Sequence, residues 1–180
     1  TPEELAAFKS KSYEPREIKI ASDGLALIVN RQNHDTIITV SQIRDILTGN
    51  VKNWKQIYPK SKLGELMIVF DNPNSSTVRF AVDSICRGKS FGSNVKALNK
   101  NEQVIDYVSK TPNAIGIVGV NWLSDNNDST KLSFSKKVNV MAVSSALEAT
   151  VENSWKPYQA YIYDKSYPLT RSIYCILNDP

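Results

Sequence analysis

The sequence predicts an α/β fold, because strand-like and helix-like patterns alternate along its 180 residues. Three observations carry that reading. Continuous apolar runs, LMIVF at 66–70 and AIGIVGV at 114–120, are of the kind buried inside a sheet. Between them, Val78, Ala81, Val82 and Ile85, then Val104, Ile105 and Val108, recur at helical spacing. Glycine, proline and Asn/Asp clusters separate these runs. The expectation is a largely parallel sheet.

TPEEL has the form of a helix start: Thr1 as cap, Pro2 at the first helical position, two acids in the first turn. A short helix over 2–10 follows, broken by SYEPRE. The strand pattern IKIASDGLALIVN comes next. It is expected to be interrupted at Ser22-Asp23-Gly24, where Asp-Gly signals a bend or a close approach by a ligand. RQNHDTI reads as a polar connector. Ser41 opens a helix with Ile43, Ile46 and Leu47 on one face, ended by Gly49. Trp54 anchors the following loop to the core. After the LMIVF strand, FDNPNSST leads into a helix that Gly88 stops. Val95–Leu98 fits a short strand or a loop. NEQVIDYVSK forms a helix ending before Pro112, AIGIVGV a strand, and DNNDST a loop. VNVMAV and SIYCILN are the late strand candidates, and the polar, aromatic region 147–161 has no clear pattern.

The net charge of +4, with a pI of about 9.0, comes from scattered lysines rather than runs. Nucleic-acid binding is therefore not indicated, whereas a small anionic ligand suits the field. Hydrophobic residues at 41% and charged residues at 22% allow an ordinary globular core. No apolar run reaches the about 20 residues that cross a bilayer. No signal peptide is visible, and the chain reads as an excised piece whose origin leaves the parent's location open. Cys86 and Cys175 lie far apart in apolar patterns and read as two buried free thiols, with a disulfide between them as the alternative. His34, alone in RQNHD, reads as a surface histidine.

Catalytic signatures are absent from the sequence. One histidine and two scattered cysteines argue against a zinc or iron site, and no cofactor is implied. There is no G-x-S-x-G, no P-loop and no G-x-G-x-x-G. Carboxylate pairs for a hydrolase or transferase would be spatial and leave no mark in sequence.

The cluster Ser75-Ser76-Thr77 sits where a strand gives way to a helix. Unpaired backbone N–H groups and the helix dipole could hold an oxyanion there. Equally, Asn74 or Ser75 could simply cap the helix. Composition alone favours the cap.

Five stretches in order resemble the phosphate-binding, substrate-binding proteins of bacterial ABC importers, of the type-two periplasmic binding class. They are IASDGLALIVN, VSQIRDILTGNVKNWKQI, NSSTVRF, VIDYVSKTPNAIGIVGVNWL and YPLTRSIYCILN, spanning roughly residues 18–180. VFDNPNSSTVRF and GVNWL resemble the Bacteroidetes-like branch. The resemblance implies two α/β lobes with the ligand between them. The first crossing is expected just after Asn30, with residues 31–157 as the second lobe. Residues 1–30 and 158–180 would form a first lobe that is incomplete in this chain, which makes self-association plausible.

The resemblance also implies site residues. Ser75 and Thr77 match hydroxyl donors to phosphate. Ser76 replaces a glycine and keeps its backbone donor. Asp23, beside Ser22, matches an acceptor for a protonated phosphate oxygen, which a fully ionised sulfate cannot satisfy. Asp71 stands where the family usually carries arginine, removing a charge-assisted contact. Arg79, Arg171, Arg16 or a basic residue upstream are the candidate replacements. Otherwise Asp71 faces outward and caps the turn with Asn72 or Asn74. The implied function is extracytoplasmic capture of inorganic phosphate or a related small oxyanion. Delivery to an importer permease would follow, without catalysis or metal. The alternatives are a sensing or adhesion module of the same fold and, further off, a carboxylate-based hydrolase.

Overall fold

Strand β1, Arg16–Val29, is the longest element and passes through two environments. The structure, a computed structural model, describes residues 2–11, 15–124 and 133–177. Helix α1 (Pro2–Lys9) precedes β1. The chain then forms β2 (Ile37–Thr39), α2 (Val40–Leu47), β3 (Met67–Phe70), α3 (Ser76–Phe80), β4 (Val95–Ala97) and α4 (Asn101–Lys110). It ends with β5 (Ala114–Gly119), β6 (Asn139–Val140), β7 (Ala142–Ser144), α5 (Gln159–Tyr163) and β8 (Thr170–Leu177). Short 3-10 turns cover Trp54–Gln56 and Val120–Leu123.

The main sheet has the order β4-β3-β5-β1-β6, with β8 added to β1. It is mixed rather than largely parallel. β3 runs parallel to β4 and β5, but β1 is antiparallel to β5, β6 and β8. Helical crossovers link the parallel strands, whereas β1 enters from outside that series and is free to run the other way.

From Leu25 to Val29, β1 is fully buried. Its side chains alternate between two layers. Leu25, Leu27 and Val29 pack with Ile43, Ile46, Leu47 and Trp54 on one face. Ala26 and Ile28 pack with Val104, Val108 and Val118 on the other. From Arg16 to Gly24, β1 pairs only with β8, and that two-stranded ribbon is largely exposed. The pairing is unbroken at Ser22, Asp23 and Gly24, so the interruption expected there does not occur. The irregularity lies between Lys19 and Ala21. The close approach at Gly24 is made by protein, because a Cβ there would stand 2.9 Å from Ile162 Cδ1.

Helix α2 starts at Val40, one residue before Ser41, with Thr39 as its cap. Thr39 accepts from the Gln42 N–H at 3.1 Å, and the Gln42 side chain accepts from the Thr39 N–H at 2.9 Å. This reciprocal box satisfies two otherwise unpaired donors. Gly49, with φ of +77°, ends the segment. Trp54 is fully buried, and its indole N–H donates to Asn113 O at 2.9 Å. VNVMAV is two strands rather than one. β6 pairs with β1 and β7 with β2, and buried Met141 marks the change of partner. RQNHDTI is a connector as far as Thr36; its last residue, Ile37, opens β2, whose three residues pair parallel with β7. Cys86 is buried and free, and burial pushes its thiol pKa up despite Arg44. Cys175 is free but only half-buried, because it lies on the exposed ribbon. His34 is exposed. Thr1 and the loop expected at 125–130 lie outside the described residues.

Candidate functional site

Strand ends and helix starts converge where the buried part of β1 meets the ribbon. Here a cleft of about 470 Å³ opens. β1 contributes Ser22 and Asp23, and β8 contributes Arg171 and Ile173. Asp71 comes from the end of β3, Ser76 and Thr77 from the start of α3, and Asn101 from the start of α4. Gly119, Asn121 and Trp122 follow β5.

Asp23 and Arg171 are directly opposed across the antiparallel β1–β8 pair. Arg171 places Nη2 at 2.7 Å and Nε at 3.1 Å from Asp23 Oδ2. The other carboxylate oxygen accepts from the Gly24 N–H at 2.8 Å. The third guanidinium nitrogen, Nη1, donates to Ser76 Oγ at 2.9 Å. Arg171 therefore bridges the ribbon to the α3 side of the cleft. The pair is only one-fifth exposed, so solvent screens it less than a surface ion pair.

The hydroxyl cluster divides its labour. Ser75 is the helix cap: its Oγ accepts from the Val78 N–H at 3.1 Å. The same hydroxyl donates to Asp71 Oδ1 at 2.6 Å. Ser75 does not line the cleft. Ser76 does, with an exposed side chain, and Thr77 does from a buried position. Helix α3 lasts only five residues before loosening into a π-type turn over Ala81–Ile85, where the Cys86 N–H reaches Ala81 O at 2.8 Å.

Asp71 is buried and faces the cleft; it does not turn outward to cap the loop. Asn72 makes the local turn instead, accepting from the Asn74 N–H at 3.0 Å. Among the described residues, Asp71 Oδ2 has one long contact, from Asn101 Nδ2 at 3.4 Å. Asn74 and Arg79 lie on the exposed side of the turn, away from the lining. Arg16 pairs with Leu177 at the far end of the ribbon. Of the candidate bases in this chain, only Arg171 reaches the cleft.

Asn101, Asn121 and Trp122 were not expected from the sequence. Asn101 could have been suspected as a polar first residue of an otherwise amphipathic helix. Asn121 and Trp122 carry no such signal, since only the turn after β5 brings them to the cleft. A Cβ on Gly119 would stand 2.6 Å from Asn121 Oδ1, so this position keeps the wall thin. The described residues contain no cluster of metal-ligating side chains.

A mixed sheet with helices on both faces, and a polar cleft at the strand ends, defines a binding-protein architecture. The chain belongs to the PBP superfamily domain family, whose model matches residues 1–180. It is 26% identical over 179 residues to the phosphate-binding protein PstS of Staphylococcus saprophyticus, covering 98% of this chain and 51% of that protein. It is 25% identical to the corresponding protein of Staphylococcus aureus, covering 50% of it. The chain thus spans about half the length of the curated relatives it matches. Among solved structures it resembles an ABC-type phosphate transport receptor from Vibrio cholerae. The TM-score is 0.70 and the identity 21%, over 92% of this chain and 60% of that one. PstS from Borrelia burgdorferi gives a TM-score of 0.68 and 22% identity, over 99% and 64%. The family and fold expectations hold, and the share covered agrees with an incomplete lobe.

Proposed function

We propose that this chain carries the larger part of the ligand cleft of an extracytoplasmic binding protein. That protein captures inorganic phosphate, or a related small oxyanion, for an ABC importer. The observation that carries the reading is the convergence of Asp23, Ser76, Thr77 and Arg171 on one polar cleft. These come from three separate stretches, yet each is a donor or acceptor that an oxyanion can use. Its relatives are named as phosphate-binding proteins and transport receptors rather than enzymes. Binding without catalysis is the corresponding reading here.

Ser22, Asn121 and the Thr77 hydroxyl complete the ligand contacts in this reading. Ser75 acts indirectly, by fixing the helix start and the Asp71 carboxylate. The lobes divide where the pairing of β1 changes. Residues up to Gly24, together with β8, belong to the first lobe, and Leu25 onward to the second. That is six residues before the crossing expected after Asn30. The exposed ribbon is then the part of the first lobe that remaining structure, or a second copy, would cover. The ABC permease is the partner to which the ligand passes.

Calorimetric titration of the full-length protein tests this reading. Micromolar or tighter phosphate binding, with sulfate rejected, is the expected result. A folded protein that binds neither anion would overturn it. The second reading, a sensing or adhesion module, draws support from buried Asp71, which opposes an anion. It would gain from that same negative result.

A further inference from the structure

The loop over 144–154 is tied at its ends by a two-way bridge. The Val143 N–H donates to Trp155 O at 2.8 Å, and the Trp155 N–H donates to Val143 O at 3.0 Å. Within the loop, Asn153 Oδ1 accepts from the Thr150 N–H at 2.8 Å, and Asn153 Nδ2 donates to Glu148 O at 3.0 Å. A compact loop closed and cross-tied in this way holds its shape. Yet it presents Leu147 at 97% and Val151 at 74% exposure. Apolar side chains held out in solvent by a fixed loop contribute nothing to the core. Glu148 and Glu152 follow them directly in the chain and are exposed too. Between Lys137 and Lys156 these two glutamates are the charged residues. The loop is therefore an acidic, apolar-tipped prong on a chain of net charge +4.

A groove of about 1060 Å³ adjoins the cleft and has the opposite character. The outer part of β1 contributes Lys19 and Ile20 to it, and α5 contributes Tyr163, followed by Lys165. Phe134 and Tyr158, stacked with ring centroids 4.8 Å apart, extend its aromatic lining. Tyr163 is 88% exposed there. Lys165 leaves the end of α5 with φ of +65°, a conformation usually left to glycine. Asp23 also borders the groove, but Arg171 engages its carboxylate. Among the described residues neither lysine is held in an ion pair, so the unneutralised charge of the groove is positive.

We propose that the prong of one copy of this chain docks in the lysine-rimmed groove of a second copy. Leu147 and Val151 enter the apolar lining, and Glu148 and Glu152 meet Lys19 and Lys165. The contact runs between copies, because a Leu147 that is 97% exposed is not sheltered by its own groove. A second copy satisfies both surfaces at once. An anionic membrane surface would suit the lysines and repel the prong, and a cationic partner would do the reverse. The apolar tips supply affinity; the charges choose which surfaces meet. The inference is independent of which ligand the cleft holds.

The test is sedimentation of the 180-residue chain over a concentration series, with two charge-reversed variants. One carries Glu148→Lys with Glu152→Lys, the other Lys19→Glu with Lys165→Glu. The wild-type chain should self-associate. Each variant alone should associate more weakly by about tenfold or more, because like charges then face each other. An equimolar mixture of the two should regain association, since each reversed surface finds its opposite on the other variant. Leu147→Ser with Val151→Ser should weaken association with every charge unchanged. All these positions are exposed, and thermal melting of each variant should match wild type. A mixture that stays dissociated overturns the inference, as does a folded charge-reversed variant that associates like wild type. A wild-type chain that is monomeric throughout overturns it as well, and leaves the prong to a different protein and the groove to the remainder of the first lobe.

Discussion

The two ends of β1 are one strand by hydrogen bonding and two by environment. Leu25–Val29 is fully buried between neighbouring strands and two layers of side chains. Ile18 and Ile20, a few residues earlier, are 46% and 62% exposed on a ribbon where β1 pairs with β8. The candidate site lies at the join, where Asp23 and Gly24 are the last residues paired with β8. A cleft needs rigid walls and access to solvent, and the passage from buried to exposed sheet supplies both. The inner end fixes Asp23 in place, while the outer end leaves its carboxylate reachable.

The largest expected effect contrasts the two ends directly. Leu27→Ala removes a fully buried side chain between β5 and the Trp54 layer. It should cost about 2–5 kcal/mol in chemical denaturation. Ile20→Ala deletes similar chemistry from the exposed ribbon and should fall within about 0.5 kcal/mol. Equal losses would show that the ribbon is as integral to the fold as the inner strand. Leu27→Ala also tests whether the site depends on the inner end, since phosphate affinity should drop with it.

The next effect appears at alkaline pH. Tyr167 is fully buried beside the join and donates to Leu25 O at 2.6 Å. Burial raises its pKa well above the ordinary value of 10.0. Tyr58, which donates to Ile37 O, is raised too, first by burial and then by Asp35. A raised folded pKa means that the folded state holds a proton which the unfolded state releases. The stability linked to it is intact below pH 10.0 and lost as pH rises beyond it. The slope is at most about 1.4 kcal/mol per pH unit for each tyrosine. Tyr167→Phe should lower stability at neutral pH by about 1 kcal/mol, because Leu25 O loses its donor. It should also make the alkaline decline shallower. An unchanged decline would assign the alkaline sensitivity to other groups.

The inner end was legible in the sequence and the join was not. Apolar runs fix β3 and β5, and helical spacing places Val104, Ile105 and Val108 of α4 inward. Burial in these elements is a local property of pattern. β2, β6 and β7 have only two or three residues each, too few for any period to show. Their strand character comes from partners distant in the chain. The site divides the same way. Asp23, Ser76 and Thr77 come from short stretches readable in order. The Asp23–Arg171 pairing spans 148 positions and exists only through β-sheet register. The roles of Ser75 and Asp71 depend on each other, because one hydroxyl both caps α3 and anchors the carboxylate. Read as a separate hydroxyl, Ser75 looks like a ligand group.

That shared hydroxyl gives the third effect. Ser75→Ala removes the cap and should cost about 1 kcal/mol in thermal or chemical unfolding. It also frees Asp71 Oδ1 from its shortest contact. Phosphate binding should weaken although Ser75 itself does not line the cleft. Ser75→Asp restores a capping acceptor but sets a second carboxylate against Asp71. It should recover helix stability only in part and bind more weakly still. If Ser75→Ala left both stability and affinity unchanged, the join would owe nothing to the start of α3.

The smallest effect on stability should have the clearest effect on association. Ile18, Ile173 and Leu177 share one face of the ribbon, and Tyr174 and Ile176 share the other, all at least 40% exposed. Apolar residues on both faces of an open two-stranded ribbon invite a covering surface. Ile18→Ser with Ile173→Ser exchanges exposed apolar area for polar area at a cross-strand neighbourhood. The folded chain's unfolding midpoint should move by less than about 0.5 kcal/mol. Sedimentation of the 180-residue chain, in contrast, should shift from self-associated toward monomeric. In the full-length protein the same pair should cost more stability, because the first lobe would cover those residues. A wild-type chain already monomeric at high concentration would argue that the charged neighbours Arg16, Glu17 and Lys19 protect the ribbon. That protection would come from edge charge, as in other exposed strands, rather than from a partner.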